Sequence, residues 1–195
     1  MPTKVPPDSI HPKSRKAWRE WLMKHHQRQE GVWFISHKKA TGKARFEYDE
    51  AVEEALCFGW IDSKPNKLDD ERSMLWFAPR KIGTGWSKPN KERVERAIAS
   101  GLMTPAGLAK IARAKQDGSW FALDAIEALE IPPDLATALA KHPPGAQNFE
   151  AFPRSAKRGI LEWIANAKTM PTREKRINET ATLAAKNVRA NQWRK

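Results

Sequence analysis

The chain has 195 residues, of which 40% are hydrophobic, 30% are charged and nine are tryptophans. This composition allows a folded core and argues against a wholly disordered chain. No apolar run approaches the length that crosses a bilayer, and the N-terminal residues lack the apolar segment of a secretory signal. Because a single cysteine also excludes an internal disulfide, we expect a cytoplasmic protein without a membrane span.

The formal net charge is +12, and it is concentrated near the C-terminus, where residues 155–195 contain ten Lys or Arg and three Asp or Glu. Such asymmetry is typical of a solvated basic helical face, and also of a surface that binds nucleic acid or anionic lipid. Both interpretations stay open at this point.

The first part of the chain predicts a helix followed by a strand. Residues 1–13 contain four prolines and predict an extended tail. In the stretch after it, Trp18, Trp21 and Leu22 recur at helical spacing, and Gly31 marks the end of the helix. The following letters, "VWFISH", predict a strand.

The middle of the chain predicts a second helix and a hairpin. Asp49 is the expected N-cap of "EAVEEALCF", and Gly59 is expected to end this helix. The predicted apolar face of the helix consists of Val52, Ala55 and Leu56. The stretch "WIDSKPNKLDDERSMLWFAPRK" predicts two antiparallel strands around an acidic turn at Asp69–Glu71, with Leu75 and Phe77 on one face.

The remainder of the chain predicts helices. Ser87 and Asn90 both suit the N-cap of "KERVERAIASG", and the last predicted helix, "TREKRINETATLAAKNVRA", follows Pro171. The predicted fold class is α+β, with a small antiparallel β-sheet and flanking helices in residues 14–118. An all-helical C-terminal module, residues 119–195, is expected to pack on that domain.

Motifs of the common catalytic and metal sites are missing from the sequence. It contains no nucleophile elbow, no pair of CxxC motifs, no HExxH and no Walker loop. The adjacent His25 and His26 point about 100° apart on a helix, which is unsuitable for joint metal binding. Cys57 lies near an apolar helix face and is expected to be a small buried hydrophobe. We therefore expect no catalytic residue, no cofactor and no metal.

Two stretches of the sequence resemble a known family. "EALCFGWIDS", then "FAPRK" leading into "GWSKPNKERVERAIASGLM", is similar to the N-terminal signature of the YdeI/OmpD-associated family. "DLATALAKHPPGAQNFEAFPRSAKRGILEWIANAKTMPTREKRINET" is similar to the C-terminal module of that family. The resemblance implies a bacteriocin-protection protein that contributes to bacterial tolerance of cationic antimicrobial peptides. It implies no particular reaction, cofactor or catalytic residue.

The leading hypothesis is a non-catalytic cytoplasmic binding or adaptor protein, whose partner is an unknown protein or a small anionic ligand. A chain of net charge +12 repels a cationic peptide, so direct sequestration of the peptide by charge is disfavoured. We therefore expect an indirect protective role, through an envelope partner, a regulatory anion or a nucleic acid.

A candidate anion site follows from the resemblance and from the predicted strand ends. The family signature gathers one set of side chains on one side of the sheet: Asp62, Arg80, Trp86, Ser87 and Asn90. Arg80 supplies a fork of donors for a carboxylate or phosphate, and a helix that begins near Ser87 offers free N–H groups. Two alternatives stay open. Asp62 and Arg80 form a structural ion pair, or the Asp62, Arg80 and Trp86 group is the active site of an enzyme for an anionic small molecule.

The last predicted helix places two arginines on or near its apolar side. At about 100° per residue, Arg173 falls inside the apolar arc and Arg176 at its edge. An unpaired buried charge is costly, so we expect one of them to pair with a carboxylate or carbonyls of the preceding region, or with an anion. Removal of one partner of such a buried pair is expected to cost about 3–5 kcal/mol. Lys175, Lys186 and Arg189 fall on the opposite face, where they would contact phosphates if the chain bound nucleic acid.

Overall fold

The structure is a computed structural model and describes residues 5–43, 45 and 47–192. It divides into two compact units, Met1–Ala122 and Leu123–Lys195. The first unit contains a sheet and helices and the second contains helices, so the predicted α+β class is confirmed. The boundary between the units falls after residue 122 in the structure. The sequence pattern predicts it four residues earlier, after residue 118.

Among the described residues, four strands form one mixed sheet in the N-terminal unit. They are β1 (Ser9–Ile10), β2 (Val32–His37), β3 (Trp60–Lys67) and β4 (Arg72–Pro79), in the spatial order β1-β2-β4-β3. The β2–β4 and β3–β4 pairs are antiparallel, which confirms the predicted hairpin. The predicted small antiparallel sheet also has a parallel edge strand, because β1 runs parallel to β2.

Strand β1 lies in the segment that the sequence predicts as an extended tail. The Trp33 N–H donates to the Asp8 carbonyl at 2.8 Å, and Ser9 and Ile10 stand opposite Trp33 and Phe34. The prolines of this segment favour an extended backbone, and such a backbone can satisfy its hydrogen bonds on an open sheet edge. Part of the predicted tail is therefore the edge strand of the sheet.

Four α-helices belong to the described part of this unit: α1 (Arg15–His25), α2 (Tyr48–Cys57), α3 (Lys88–Ala99) and α4 (Pro105–Gln116). The N-cap of α2 is Glu47 rather than Asp49, because Glu47 and Glu50 form a capping box. In this box the Glu50 carboxylate accepts from the Glu47 N–H at 3.0 Å. Asp49 pairs instead with Arg93 of α3.

The core of the N-terminal unit is rich in tryptophan, and Trp18, Trp60 and Trp86 are buried in it. The indole N–H of Trp18 donates to the Ala51 carbonyl at 3.0 Å, and that of Trp60 donates to the His26 carbonyl at 2.9 Å. These bonds satisfy polar groups that burial would otherwise leave without a partner. The buried face of α2 includes the three predicted residues, Val52, Ala55 and Leu56.

The β3–β4 hairpin contains a bulge next to Asp62. Asp62 stands opposite Phe77, but the register shifts before Pro65, which stands opposite Leu75. A bulge bends its strand and changes the direction of nearby side chains. Phe77 is buried in the main core of the unit and Leu75 packs against that core, as their alternation predicts.

Helix α4 approaches α2 closely at Gly107. A Cβ atom at this position would lie 2.8 Å from the Leu56 carbonyl oxygen, which is closer than real Cβ atoms approach. Thr104, the N-cap of α4, donates its hydroxyl to the Cys57 carbonyl at 2.6 Å. Gly59 follows α2 with a φ of 76°, so the chain turns away at the predicted residue.

The C-terminal unit consists, in its described residues, of five helices: α5 (Asp124–Glu127), α6 (Pro133–Ala140), α7 (Gly145–Ala151), α8 (Arg154–Ala165) and α9 (Met170–Ala185). Helix α9 begins before Pro171, because the Thr169 hydroxyl caps it by accepting from the Thr172 N–H. It ends before Asn187, which has a φ of 54°. The expectation that Arg189 lies on a face of this helix is therefore wrong.

The core of the C-terminal unit is formed by the apolar faces of its helices, and its fully buried members include Leu135, Phe149 and Ile160. The Asn148 side chain of α7 donates to the Ala184 carbonyl near the end of α9 at 2.9 Å, and the Asn187 N–H donates to the same carbonyl oxygen. Within the ranges that the structure describes, no helix is both long and apolar enough to span a membrane.

Candidate functional site

The structure divides the predicted anion-site residues between two places. Asp62, on β3, borders a large cavity. Arg80 and Trp86 line a different and much smaller cavity. We name these the Asp62 cavity and the Arg80 cavity. No salt bridge joins Asp62 to Arg80 in the described part of the chain, although the Asp62 carboxylate acts on the Arg80 charge through space.

The Asp62 cavity has a volume of about 400 Å³. Its walls come from β2, β3, β4, the start of α2 and the segment just before α2. The charged and aromatic lining side chains are Arg45, Glu47, Tyr48, Asp62 and Phe34, and three serines and several apolar side chains complete the walls. A volume of this size, with an apolar lining and a few polar groups, is typical of small-molecule sites.

Tyr48 and Asp62 form the central polar contact of the Asp62 cavity. The Tyr48 hydroxyl donates to the Asp62 Oδ2 atom at 2.7 Å. Partial burial, together with the hydrogen bond and the negative charge of Asp62, raises the pKa of Tyr48 to about 12. The Arg93 guanidinium lies 5.7 Å from the centre of the tyrosine ring and acts in the opposite direction. Tyr48 therefore keeps its proton at neutral pH and acts as a hydrogen-bond donor.

The remaining charges of the cavity belong to Arg45 and Glu47. The Arg45 guanidinium donates to the Glu47 carboxylate at 2.7 Å. With Asp62, the lining holds two carboxylates and one guanidinium, so it is more acidic than basic in a chain whose net charge is +12. Carboxylates with one oxygen engaged still offer lone pairs to hydrogen-bond donors of a ligand.

Arg80 is buried, with 6% of its surface exposed, and its guanidinium lies 3.7 Å from the centre of the Trp86 ring. Its Nη2 atom donates to the Gly85 carbonyl at 2.5 Å. Burial lowers the pKa of Arg80 to about 10, and the nearby Asp62 charge opposes this shift. The side chain is therefore still a cation at neutral pH, held by cation–π contact and by its own loop.

Ser87 and Asn90 serve helix α3 in the structure. Ser87 is the N-cap residue, although its hydroxyl makes no capping hydrogen bond among the described residues. The Asn90 side-chain oxygen accepts from Arg93 at 2.8 Å. Neither residue lines the Asp62 cavity or the Arg80 cavity.

Arg173 and Arg176 both have partners within the C-terminal unit. Arg173 donates two hydrogen bonds to the Asp134 carboxylate, at 2.7 and 3.0 Å, and this contact joins α9 to α6. Arg176 donates to the Trp163 carbonyl, and its guanidinium lies 5.0 Å from the centre of the Trp163 ring. The hydrogen bond from Arg173 lowers the pKa of Asp134.

The three side chains proposed for nucleic-acid contact, Lys175, Lys186 and Arg189, are exposed. Lys175 lies on α9, Lys186 is the C-cap residue of that helix, and Arg189 follows the helix. Arg189 also lies 6.0 Å from the centre of the Phe152 ring. The three residues therefore do not share one regular helical face.

The described residues contain no group of three or more His, Cys, Asp or Glu side chains that could hold a metal ion. The His25 ring lies 4.7 Å from the Trp21 ring, and the His26 Nδ1 atom lies 3.2 Å from the Leu22 carbonyl oxygen. Cys57 is buried, and burial raises the pKa of its thiol to about 11, so the thiol is not a ready nucleophile.

The sequence reasoning identified Asp62 but missed its neighbours Arg45, Glu47 and Tyr48. One usable signal was present, since Tyr48 is the only tyrosine in the chain and directly precedes Asp49, the expected N-cap of the predicted helix. Their approach to Asp62 depends on where α2 begins and on the register of β3, neither of which the sequence pattern defines.

Comparison with known families gives two matches. Residues 10–110, more than half of the chain and including every residue that borders the Asp62 cavity, match the family described as "Domain of unknown function (DUF8412)". Residues 128–187 match the family described as "Bacteriocin-protection, YdeI or OmpD-Associated". The resemblance drawn from the sequence is thus confirmed for the C-terminal unit, whereas the N-terminal stretch that also suggested it falls in the region of the other match.

Searches of curated proteins and of solved structures found no match to the chain. The chain belongs to the DUF8412 family, and its C-terminal unit carries a domain of the bacteriocin-protection, YdeI or OmpD-associated family.

Proposed function

We propose that the chain is a non-catalytic, cytoplasmic ligand-binding protein that contributes to bacteriocin tolerance, and that its ligand occupies the Asp62 cavity. The observation that carries the proposal is the 2.7 Å hydrogen bond from Tyr48 to Asp62 in the wall of a cavity of about 400 Å³. The match of residues 128–187 to a bacteriocin-protection family supports the cellular role. The buried, unpaired Cys57 suits a reducing compartment.

The protonation of Tyr48 favours binding over catalysis. A general acid or base works best when its pKa is near the working pH, and the pKa of Tyr48 is raised to about 12. Tyr48 therefore orients the Asp62 carboxylate, and the carboxylate presents its free lone pairs to a ligand. This arrangement binds and orients a donor group without exchanging protons with it.

The lining of the cavity defines the class of ligand. Two carboxylates and one guanidinium favour a ligand that carries an ammonium or hydroxyl donor, and apolar side chains such as Phe34 and Leu75 favour an apolar body. This chemistry differs from the small anionic ligand that the sequence suggested. The reason is local, because the lining is acidic although the whole chain is basic.

A matched set of probes tests this preference. Tyramine, 4-ethylphenol and 3-(4-hydroxyphenyl)propionate share a phenol ring and differ in carrying an ammonium, a neutral or a carboxylate group. Calorimetric titration of the full chain is expected to give the tightest binding for tyramine. The Asp62→Asn variant is expected to lose about tenfold or more of the tyramine affinity, because a charge-assisted hydrogen bond to the ligand is removed.

Asp70→Asn is the control, because Asp70 is an exposed carboxylate of the hairpin turn, with 95% of its side chain accessible, and lies outside the cavity. This variant is expected to bind tyramine as the wild type does. Equal affinity of wild type and Asp62→Asn for tyramine, or a preference for the carboxylate probe, would contradict the proposed ligand class.

The cellular role is tested by expression in a bacteriocin-sensitive bacterium. The wild type and Asp70→Asn are expected to raise the bacteriocin concentration that inhibits growth, and Asp62→Asn is expected to do so to a smaller extent. Protection that is independent of Asp62 would separate the family role from the cavity, and an absence of protection by the wild type would refute the role.

A further inference from the structure

The Arg80 cavity concentrates positive charge in the N-terminal unit. The loop that follows β4 and the facing side of α4 line it. Its charged lining side chains are Arg80, Lys81, Lys110, Arg113 and Asp117. Four basic groups therefore face one acidic group. The Asp62 cavity shares none of these lining residues, so the two cavities are separate sites.

Arg80 is positioned at this cavity and has unused hydrogen-bonding capacity there. Stacking on Trp86 at 3.7 Å and the hydrogen bond to the Gly85 carbonyl hold its guanidinium plane in one orientation. Its Nε atom is buried and has no hydrogen-bond partner among the described residues. A buried, charged donor without a partner is costly, and burial already lowers the pKa of this side chain. An acceptor in the cavity would remove that cost.

The other charged groups leave the positive excess in place. Lys110 donates from Nζ to the Arg80 carbonyl at 3.1 Å, which holds its ammonium beside the cavity without neutralising it. Asp117 accepts from the Ser119 N–H at 2.9 Å. The hydrogen bonds from Ser119, with a smaller contribution from the Gly83 N–H, lower the pKa of Asp117. The Asp117 carboxylate is thus already hydrogen-bonded to Ser119 and to the Gly83 N–H, while Arg113 is exposed.

We propose that the Arg80 cavity is a binding site for a phosphate group. Its volume of about 10 Å³ admits one water-sized atom, so a single phosphate oxygen enters and accepts from the Arg80 Nε atom. The other oxygens stay at the mouth, within reach of the exposed Lys81 and Arg113. Guanidinium groups are well suited to phosphate because their donors lie in a fixed plane.

The phosphate belongs to a phosphomonoester rather than to free phosphate. Ile82, which also lines the cavity, is 67% exposed and offers an apolar surface at the mouth. An ester group on the phosphate would cover this side chain, and burial of apolar surface adds affinity that inorganic phosphate cannot gain. A small organic phosphate is therefore the ligand that the site favours.

Calorimetric titration of the full chain at constant ionic strength tests the site, with inorganic phosphate and phenyl phosphate as probes in a chloride buffer. We expect both probes to bind and phenyl phosphate to bind more tightly. Tighter binding of inorganic phosphate would overturn the monoester assignment. No detectable binding of either probe by the wild type would overturn the site itself.

Variants link the binding to the named residues. The Arg113 side chain is exposed, so the Arg113→Gln variant should fold normally. This variant is expected to weaken phenyl phosphate binding about tenfold, because it loses a charge-assisted hydrogen bond to the phosphate. Arg80→Lys keeps the charge but loses the planar donors, so it should weaken binding at least as much. Lys64→Gln removes an exposed lysine of β3 and is the control, with unchanged binding. Equal affinity in Arg113→Gln and Lys64→Gln would refute the proposal even if Arg80→Lys failed to fold.

Discussion

At the residue scale, Tyr48 reports directly on the Asp62 cavity because it is the only tyrosine of the chain. Partial burial and the hydrogen bond to Asp62 raise its pKa to about 12. The folded state therefore holds the phenolic proton more tightly than the unfolded state, whose tyrosine titrates near its ordinary value of about 10. This contribution to stability is fully present below about pH 10 and is lost as the pH rises towards about 12.

Tyrosinate absorbance in the ultraviolet measures this shift. At about pH 11 we expect little tyrosinate in the native wild type and nearly complete ionisation in the urea-unfolded chain. The Asp62→Asn variant should ionise at a pH between these two, because it loses the charge of Asp62 while the burial of Tyr48 stays. If native wild type and unfolded chain ionised together, Tyr48 would not be bonded to Asp62 in solution.

Individual residues were predictable where their environment is set locally. Asp62 was predictable as a candidate because a carboxylate follows the apolar Trp60-Ile61 pair, and that position does border a cavity. Tyr48 was not predictable as its partner, since the two residues meet through the register of β3 and the start of α2. The stacking of Arg80 on Trp86 was equally unpredictable from the sequence, because it depends on the conformation of the loop between the two residues.

At the element scale, periodicity predicted the hairpin and the buried face of α2. It failed for β1, whose two residues are too few to show any alternation and gain their stability from pairing with β2. It also failed at the end of α9, where Asn187 takes a positive φ and ends a helix whose apolar pattern continues beyond it. The close contact of α4 with α2 at Gly107 is a tertiary feature that a single glycine in a helical pattern does not reveal.

The pairing of Arg173 on α9 with Asp134 on α6 gives a prediction that differs from the one based on sequence. The two side chains are 25% and 44% exposed, so the cost of Arg173→Ala falls from the expected 3–5 kcal/mol to about 0.2–1 kcal/mol. Arg176→Ala loses a carbonyl partner and a cation–π contact with Trp163 at a half-buried position, and should cost about 1–2 kcal/mol. Denaturant unfolding measures both values.

Lys186→Ala and Arg189→Ala are the matched controls, with an expected cost within about 0.5 kcal/mol, because both side chains are exposed. The Arg173 effect should also depend on pH. The hydrogen bond lowers the pKa of Asp134, so its stabilisation is present above the ordinary aspartate pKa and is lost as the pH falls through the lowered value. A cost for Arg173→Ala that stayed constant into strong acid would mean that Asp134 is not its partner.

At the scale of the whole molecule, the order of predicted elements was enough to assign the α+β class, because strand signals end before residue 80 and the predicted elements from residue 87 onward are helices. The two family matches, residues 10–110 and 128–187, fall in the two compact units. Function was less predictable from the chain as a whole. Net charge describes long-range attraction, whereas each cavity is defined by the few groups that line it.

The net charge of +12 leads to a last prediction, on nucleic acid. A chain this basic should bind DNA weakly and non-specifically at low salt, with affinity that falls steeply as salt is added. Lys175, Lys186 and Arg189 are exposed but do not share a regular helical face, so we expect them to contribute as dispersed charges.

Two triple variants test this expectation. One changes Lys175, Lys186 and Arg189 to Gln, and the other changes three exposed lysines of the N-terminal unit to Gln: Lys24, Lys39 and Lys64. Both variants should weaken DNA binding by the same factor, because each change removes three positive charges. Gel-shift titrations of both triple variants over a range of salt concentrations make the comparison. A loss that is much larger for the C-terminal triple, with a smaller salt slope, would identify a dedicated nucleic-acid surface and would favour that function over the ligand-binding one.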